Sequence, residues 1–190
     1  MDALGKLPTV GAFAAALGMM VTNLTIGKKK YADVEEEMKG LAAEGAALRK
    51  ELIDSIQKDT ESFTAYMNAL GMPKNTDEEK AARKEAMQNG LKEAAEVPLA
   101  VAETALKIFH VAGAVVERGN ANAVTDGLVA SMMARTAVLS ALLNVKINLG
   151  SIKDEEFVAR MAAKVAELEK AAMDGEKAVM ELSALTRDLV

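Results

Sequence analysis

The chain has 190 residues but no cysteine, no tryptophan, one histidine and three prolines, and aromatics make up only 3% of it. Without thiols there is no disulfide, no thiolate metal site and no cysteine nucleophile, and with no secretory leader a reducing cytoplasm is the expected compartment. So few prolines and aromatics leave little from which to build a β-sandwich or barrel. One histidine is too few for a histidine–carboxylate ladder, so no metal site is expected. No Gly-x-x-x-x-Gly-Lys-Ser/Thr phosphate loop occurs, and Gly11, Gly18 and Gly27 lack the preceding strand that a dinucleotide fingerprint needs. A formal charge of -5, with no interleaving of aromatic and basic residues, argues against nucleic acid as a partner.

What is present is helix-forming. Hydrophobic residues make up 51% of the chain, ample for the core of one domain over residues 1–190, and alanine, leucine, methionine, glutamate and lysine dominate. Residues 9–26 carry no charge, which reaches the short edge of membrane-spanning length. The stretch is rich in alanine and glycine and ends in Thr22, Asn23 and Thr25, so it reads as a helix buried in a bundle or subunit interface, and no membrane partner is expected.

Hydrophobic periodicity gives five helical segments. The first covers residues 10–24 and closes at Gly27. The second runs over 33–70, with Leu41, Leu48, Leu52, Ile56, Phe63 and Met67 largely on one face, and stops at Gly71 and Pro73. The third begins with a Thr76-Asp-Glu-Glu79 capping box and runs to 117, with a kink or break expected before Pro98. The fourth, 123–148, is apolar on several sides and reads as the central helix. The fifth, 154–189, is again amphipathic. Short connections between long amphipathic helices predict an all-α, up-and-down antiparallel bundle. The apolar first and fourth helices are hard to cover with three others, which predicts a homodimer through them.

Polar residues on apolar faces are the candidates for chemistry. Asp59 falls seven residues after Leu52 and four before Phe63, on the apolar stripe of the second helix. Burial there would favour the neutral acid and suit a general acid or base; an ion pair with another helix, or a position at the end of the stripe reaching solvent, is the structural alternative. The run Asn-Leu-Thr-Ile-Gly-Lys-Lys-Lys-Tyr at 23–31 sets Lys28, Lys29 and Lys30 side by side after an uncharged segment. It reads either as a grip for a carboxylate or phosphate or as a solvated loop. Asn120, Asp126, Asn144 and Asn148 form a second polar group. Asn144 in an apolar run is expected to be buried and to need partners, which a heterocycle bearing amide and amino groups would supply, as would a neighbouring backbone. Asp126 also suits a helix N-terminus. His110, between Phe109 and Val111, reads as a core or interface histidine.

Taken together, the 23–31 run, Pro73-Lys-Asn-Thr-Asp-Glu-Glu-Lys-Ala-Ala-Arg83, Val97-Pro-Leu99, Gly119-Asn120 and Asn144-Val-Lys-Ile-Asn148 resemble the formiminotransferase-cyclodeaminase C-terminal domain / methenyltetrahydrofolate cyclohydrolase family. The resemblance covers nearly the whole chain. It implies a cytoplasmic all-α homodimer that binds a reduced folate in a cleft near the dimer interface, with no cofactor beyond that tetrahydrofolate-derived substrate. Asp59-Thr-Glu-Ser-Phe63 matches the context of the family's essential aspartate. By the same resemblance Asp59 and Lys30 would carry catalysis, while Lys28, Lys29, Asn120, Asp126 and Asn144 would bind substrate. The implied reaction is hydrolysis of 5,10-methenyltetrahydrofolate to 10-formyltetrahydrofolate. The alternatives are release of ammonia from 5-formiminotetrahydrofolate and a non-catalytic folate-binding or structural dimer. The chain departs from the family at its start. Pro8-Thr-Val-Gly-Ala-Phe13 stands where the family has Pro-Thr-Pro-Gly-Gly-Gly-Ser, and the first helix is shorter by about two turns.

Overall fold

The computed structural model describes residues 6–189, so residues 1–5 and 190 of the expected domain lie outside the described residues. The elements are α1 (Lys6–Thr25), a 3₁₀ turn (Lys29–Val34), α2 (Glu35–Leu70), α3 (Asp77–Leu106), α4 (Ile108–Arg118), a 3₁₀ turn (Ala121–Ala123), α5 (Val124–Leu149), α6 (Glu155–Glu181) and a last 3₁₀ turn (Arg187–Leu189). Among the described residues there is no strand.

Local chemistry sets most of these boundaries. Gly27, at φ 74°, takes the left-handed conformation that turns the chain out of α1. Thr76 accepts from the Glu79 backbone N–H, and the Glu79 carboxylate accepts from the Thr76 N–H, which makes the predicted capping box. Asp154 caps α6 by accepting from the Phe157 N–H at 3.0 Å.

α1, α2, α5 and the α3–α4 pair form an up-and-down square with antiparallel edges. Gly11 of α1 sits against Leu52 of α2 and Ala137 of α5, Gly90 of α3 against Tyr66 of α2, and Gly127 of α5 against Val116 of α4. α5 touches α1, α3, α4 and α6, which fits its expected central position. α6 lies over the α3–α5 seam, joined by Lys92–Asp154 (2.6 Å) and Lys146–Glu169 (2.5 Å). The core is built largely of alanine and valine, with Leu52, Met38, Ile108 and Leu142 as its largest fully buried side chains. Small residues let these long helices approach closely along much of their length.

Three expectations need correction. The break is not before Pro98: α3 continues through it to Leu106, and a turn of i→i+3 bonds around Lys107 separates α3 from α4. The last helix stops at Glu181 rather than 189, where the Thr186 hydroxyl donates to the Met180 carbonyl at 2.6 Å and folds the chain back. His110 is exposed on the single chain rather than in the core, which corrects the core half of that expectation, and its Nδ1 lies 3.0 Å from Glu44.

Three stretches, Pro8–Thr25, Asp77–Arg118 and Ala121–Leu149, are long and apolar enough to cross a membrane by length and composition alone. In the bundle about half of each apolar window is already buried against other helices. What remains outside includes Phe13, Met20 and Leu24 on α1 and Leu143 and Ile147 on α5, and Ile53 of α2 is exposed as well.

The Asp154 contacts have a pH signature. The hydrogen bond from Lys92, and after it that from the Phe157 backbone, holds this carboxyl below the ordinary aspartate range. A depressed carboxyl stabilises the fold above its unfolded pKa and ceases to do so as the pH falls through its folded value. Urea unfolding of Asp154→Ala should therefore show lower stability than the parent at neutral pH, with the gap closing in acid below the ordinary aspartate range. A gap independent of pH would contradict this.

Candidate active site

The polar residues singled out from the sequence fall into two groups at opposite ends of the bundle. At one end, a cavity of about 250 Å³ opens between α2, α3 and α5. Asp59, Phe63 and Tyr66 contribute from α2, Ala94 and Pro98 from α3, and Asn144 and Asn148 from α5. The helical repeat explains the first set, since Asp59, Phe63 and Tyr66 recur at intervals of four and three residues on one face. The same rule sets Asn144 and Asn148 one turn apart on α5.

Asp59 is half-buried rather than sunk in the core, and it lines the cavity. The Ser62 hydroxyl donates to the Asp59 backbone carbonyl at 3.0 Å. Asn144 is exposed, not buried as its apolar neighbours suggested. Its Nδ2 donates to the Ser140 carbonyl at 3.3 Å, which leaves its carbonyl oxygen without a donor among the described residues. A carboxylate and a free amide oxygen beside aromatic and proline surface form a site that can sandwich a flat heterocycle and move a proton at its edge.

At the other end, Lys28, Lys29 and Lys30 are exposed and make no ion pair among the described residues. The Lys30 ammonium stands 5.2 Å from the centre of the Tyr31 ring. Asn120 holds this end together. Its backbone N–H donates to Thr25 Oγ1 at 2.9 Å, its Nδ2 donates to the Leu24 carbonyl at 2.9 Å, and its Oδ1 accepts from the Asn122 N–H at 3.1 Å. The Tyr31 hydroxyl accepts from the Ala121 N–H at 3.0 Å. Asn120 is thus a clamp between the end of α1 and the turn into α5, and its polarity satisfies a helix-end carbonyl. Asp126 sits half-buried in the first turn of α5, where a negative charge suits the helix dipole.

From Glu35 to Asp59 the axis of α2 advances roughly 36 Å. Lys28, Lys29, Lys30, Asn120 and Asp126 therefore do not share the Asp59 cavity within one chain, whereas Asn144 does. Tyr66 and Pro98 border the cavity and were not among the expected site residues, while Asn148, which also borders it, belonged to the second polar group without an assigned role. Tyr66 was legible as the next position on the Asp59 stripe, and Asn148 from its spacing to Asn144.

An all-helical bundle with this carboxylate-bearing cavity belongs to the formiminotransferase-cyclodeaminase family, whose model matches residues 7–167 of the chain. Within the family, the methenyltetrahydrofolate cyclohydrolase of Methylorubrum extorquens is 44% identical over 153 residues, which covers 80% of this chain and 74% of that protein. The formimidoyltransferase-cyclodeaminase of Gallus gallus is 33% identical over 174 residues, and the chain spans only 32% of that longer relative. A formiminotetrahydrofolate cyclodeaminase from Thermotoga maritima has a solved structure that superposes with a TM-score of 0.83 at 32% identity, over 97% of this chain and 87% of that one.

The Asn120 geometry predicts a structural penalty. Asn120→Ala removes two hydrogen bonds and should lower unfolding stability by roughly 1–2 kcal/mol in a urea titration. Unchanged stability with weakened folate affinity would instead make Asn120 a ligand contact.

Proposed function

We propose that the chain is a methenyltetrahydrofolate cyclohydrolase of one-carbon folate metabolism, acting in the cytoplasm as a homodimer. The observation that carries this reading is Asp59 and Asn144 meeting in one cavity, in a chain 44% identical to a cyclohydrolase. The methenyl carbon of the substrate is already cationic and electrophilic, so neither a metal nor a nucleophilic side chain is required. Asp59 takes a proton from the attacking water as its oxygen bonds to that carbon. The tetrahedral adduct then breaks its bond to N5, which accepts the proton from Asp59, while the adduct hydroxyl releases its remaining proton to solvent as the C=O forms, and the formyl group stays on N10. The Asn144 amide orients the adduct, and Phe63, Tyr66 and Pro98 supply surface for the pterin ring.

A second copy completes the site in this reading. The lysine turn and Asp59 are further apart along α2 than one folate monoglutamate reaches. A two-fold axis perpendicular to α1 and α2 reverses end for end, and so brings the lysine turn of one copy to the Asp59 end of the other. The surface available for that pairing runs between the two ends, as an apolar stripe of Phe13, Ala16, Met20 and Leu24 on α1 flanked by Arg49 and Ile53 of α2. Lys28, Lys29 and Lys30 then meet the glutamate carboxylates of a folate whose ring lies against Asp59, and Lys30 acts across the interface. The second copy, rather than lipid, covers the apolar stripe.

The cyclodeaminase reading has an observation of its own in the 0.83 TM-score to the Thermotoga maritima cyclodeaminase. There N10 attacks the formimino carbon and ammonia leaves, again through a tetrahedral centre. Assaying loss of the methenyl chromophore beside ammonia release ranks the two activities; release of ammonia without methenyl hydrolysis would put the cyclodeaminase first. In the active assay, Asp59→Asn should lower kcat by roughly 10²- to 10⁴-fold at equal folate occupancy. Retained turnover would remove Asp59 from the chemistry.

A further inference from the structure

Pro98 poses a local problem in α3. A proline has no N–H, so the carbonyl four residues back, Ala94, loses its helical donor, and such a position ordinarily kinks or ends a helix. Here α3 runs on from Asp77 to Leu106. Asn148 of α5 resolves the difficulty, because its Nδ2 donates to the Ala94 carbonyl at 2.7 Å. Ala94, Pro98 and Asn148 all border the Asp59 cavity. Below them α3 is pressed against α2, with Gly90 so close that a Cβ there would lie 3.1 Å from the Tyr66 Cα.

We infer that Asn148 is a positioning residue for the reaction: by taking up the carbonyl that Pro98 leaves open, it fixes the α3 wall of the cavity relative to Asp59 and holds Asn144 one turn away in register. The inference rests on the reading of the Asp59 cavity as the folate site. The arrangement keeps the ring-facing proline surface within an unbroken α3, and it ties α3 to α5 where the substrate must be gripped. Misplacing a wall by about an ångström is enough to cost a large factor in rate.

The test is a double-mutant cycle between Asn148→Ala and Pro98→Ala, read both in urea unfolding and in turnover. Alanine at 98 restores the helical N–H to the Ala94 carbonyl, so the Asn148 bond becomes redundant. In the parent background Asn148→Ala should lower kcat roughly 10- to 100-fold with a smaller change in KM. In the Pro98→Ala background the same change should cost less than about threefold, and the two sites should be coupled in urea as well. Equal losses in both backgrounds would mean that Asn148 touches the substrate directly, and would overturn the proposal. So would full kcat in Asn148→Ala, or the absence of coupling in urea. If Asn148→Ala does not fold, Asn148→Asp takes its place, being of the same shape but unable to donate when ionised. A parent that binds reduced folate without turnover counts against the reaction and not against the coupling, and the cycle is then read in folate affinity. A parent that neither binds nor turns over reduced folate overturns both.

Discussion

The rest of the molecule depends on α2 being one unbroken helix from Glu35 to Leu70. A rod of that length cannot fold its ends together, so whatever the sequence places at its start and whatever it places near Asp59 stay roughly 36 Å apart. The antiparallel square of α1, α2, α3–α4 and α5 repeats this separation in every helix. Asn120, at the start of α5, is tied to Thr25 and Leu24 at the end of α1, while Asn144 lies near the far end of α5 beside Asp59. In the proposed reading, the Asp59 carboxylate at one end and, at the other, lysines that make no ion pair among the described residues are the two halves of one site.

Packing chemistry explains why such a bundle holds. Alanine occupies Ala14, Ala15, Ala95, Ala102, Ala105, Ala130, Ala134, Ala137 and Ala141 of the fully buried core, so backbones approach closely and few large side chains are needed. The same economy leaves α1 thinly covered on its outer side, where Phe13, Met20 and Leu24 face outward. In the proposed reading, this cluster of exposed apolar side chains on α1 is the surface that a second copy covers. Pairing along it, end for end, is the arrangement that would unite the two half-sites.

Much of this was legible in the sequence wherever a local rule decided the outcome. Helical repeats placed Leu52, Asp59 and Phe63 on one face, the capping box at Thr76 fixed the start of α3, and Gly27 marked the end of α1. The misreadings occurred where a distant residue decided. Pro98 does not break its helix because Asn148, fifty-four residues away from Ala94 along the chain, serves the freed carbonyl. Asn120 shows in sequence only as a polar residue after Gly119, and its bond to the Leu24 carbonyl at the end of α1 becomes visible only in three dimensions. His110 sits among apolar residues in sequence, yet Ile108, Val111 and Val115 take the buried face and leave it outside, paired with Glu44. The end of α6 shows no glycine or proline, and the Thr186 hydroxyl that turns the chain becomes visible only in three dimensions.

The shared-site account is tested most directly by mixing two inactive proteins. One carries Asp59→Asn, and the other carries alanine at Lys28, Lys29 and Lys30 together. If each site is built from the carboxylate end of one copy and the lysine end of the other, a mixed dimer contains one intact site and one doubly defective site. Turnover should therefore reappear on mixing, approaching roughly one quarter of the parent rate when exchange is complete and dimers form at random. No recovery on mixing, with subunit exchange shown independently, would contradict the account and place both groups, or neither, in the working site of a single chain.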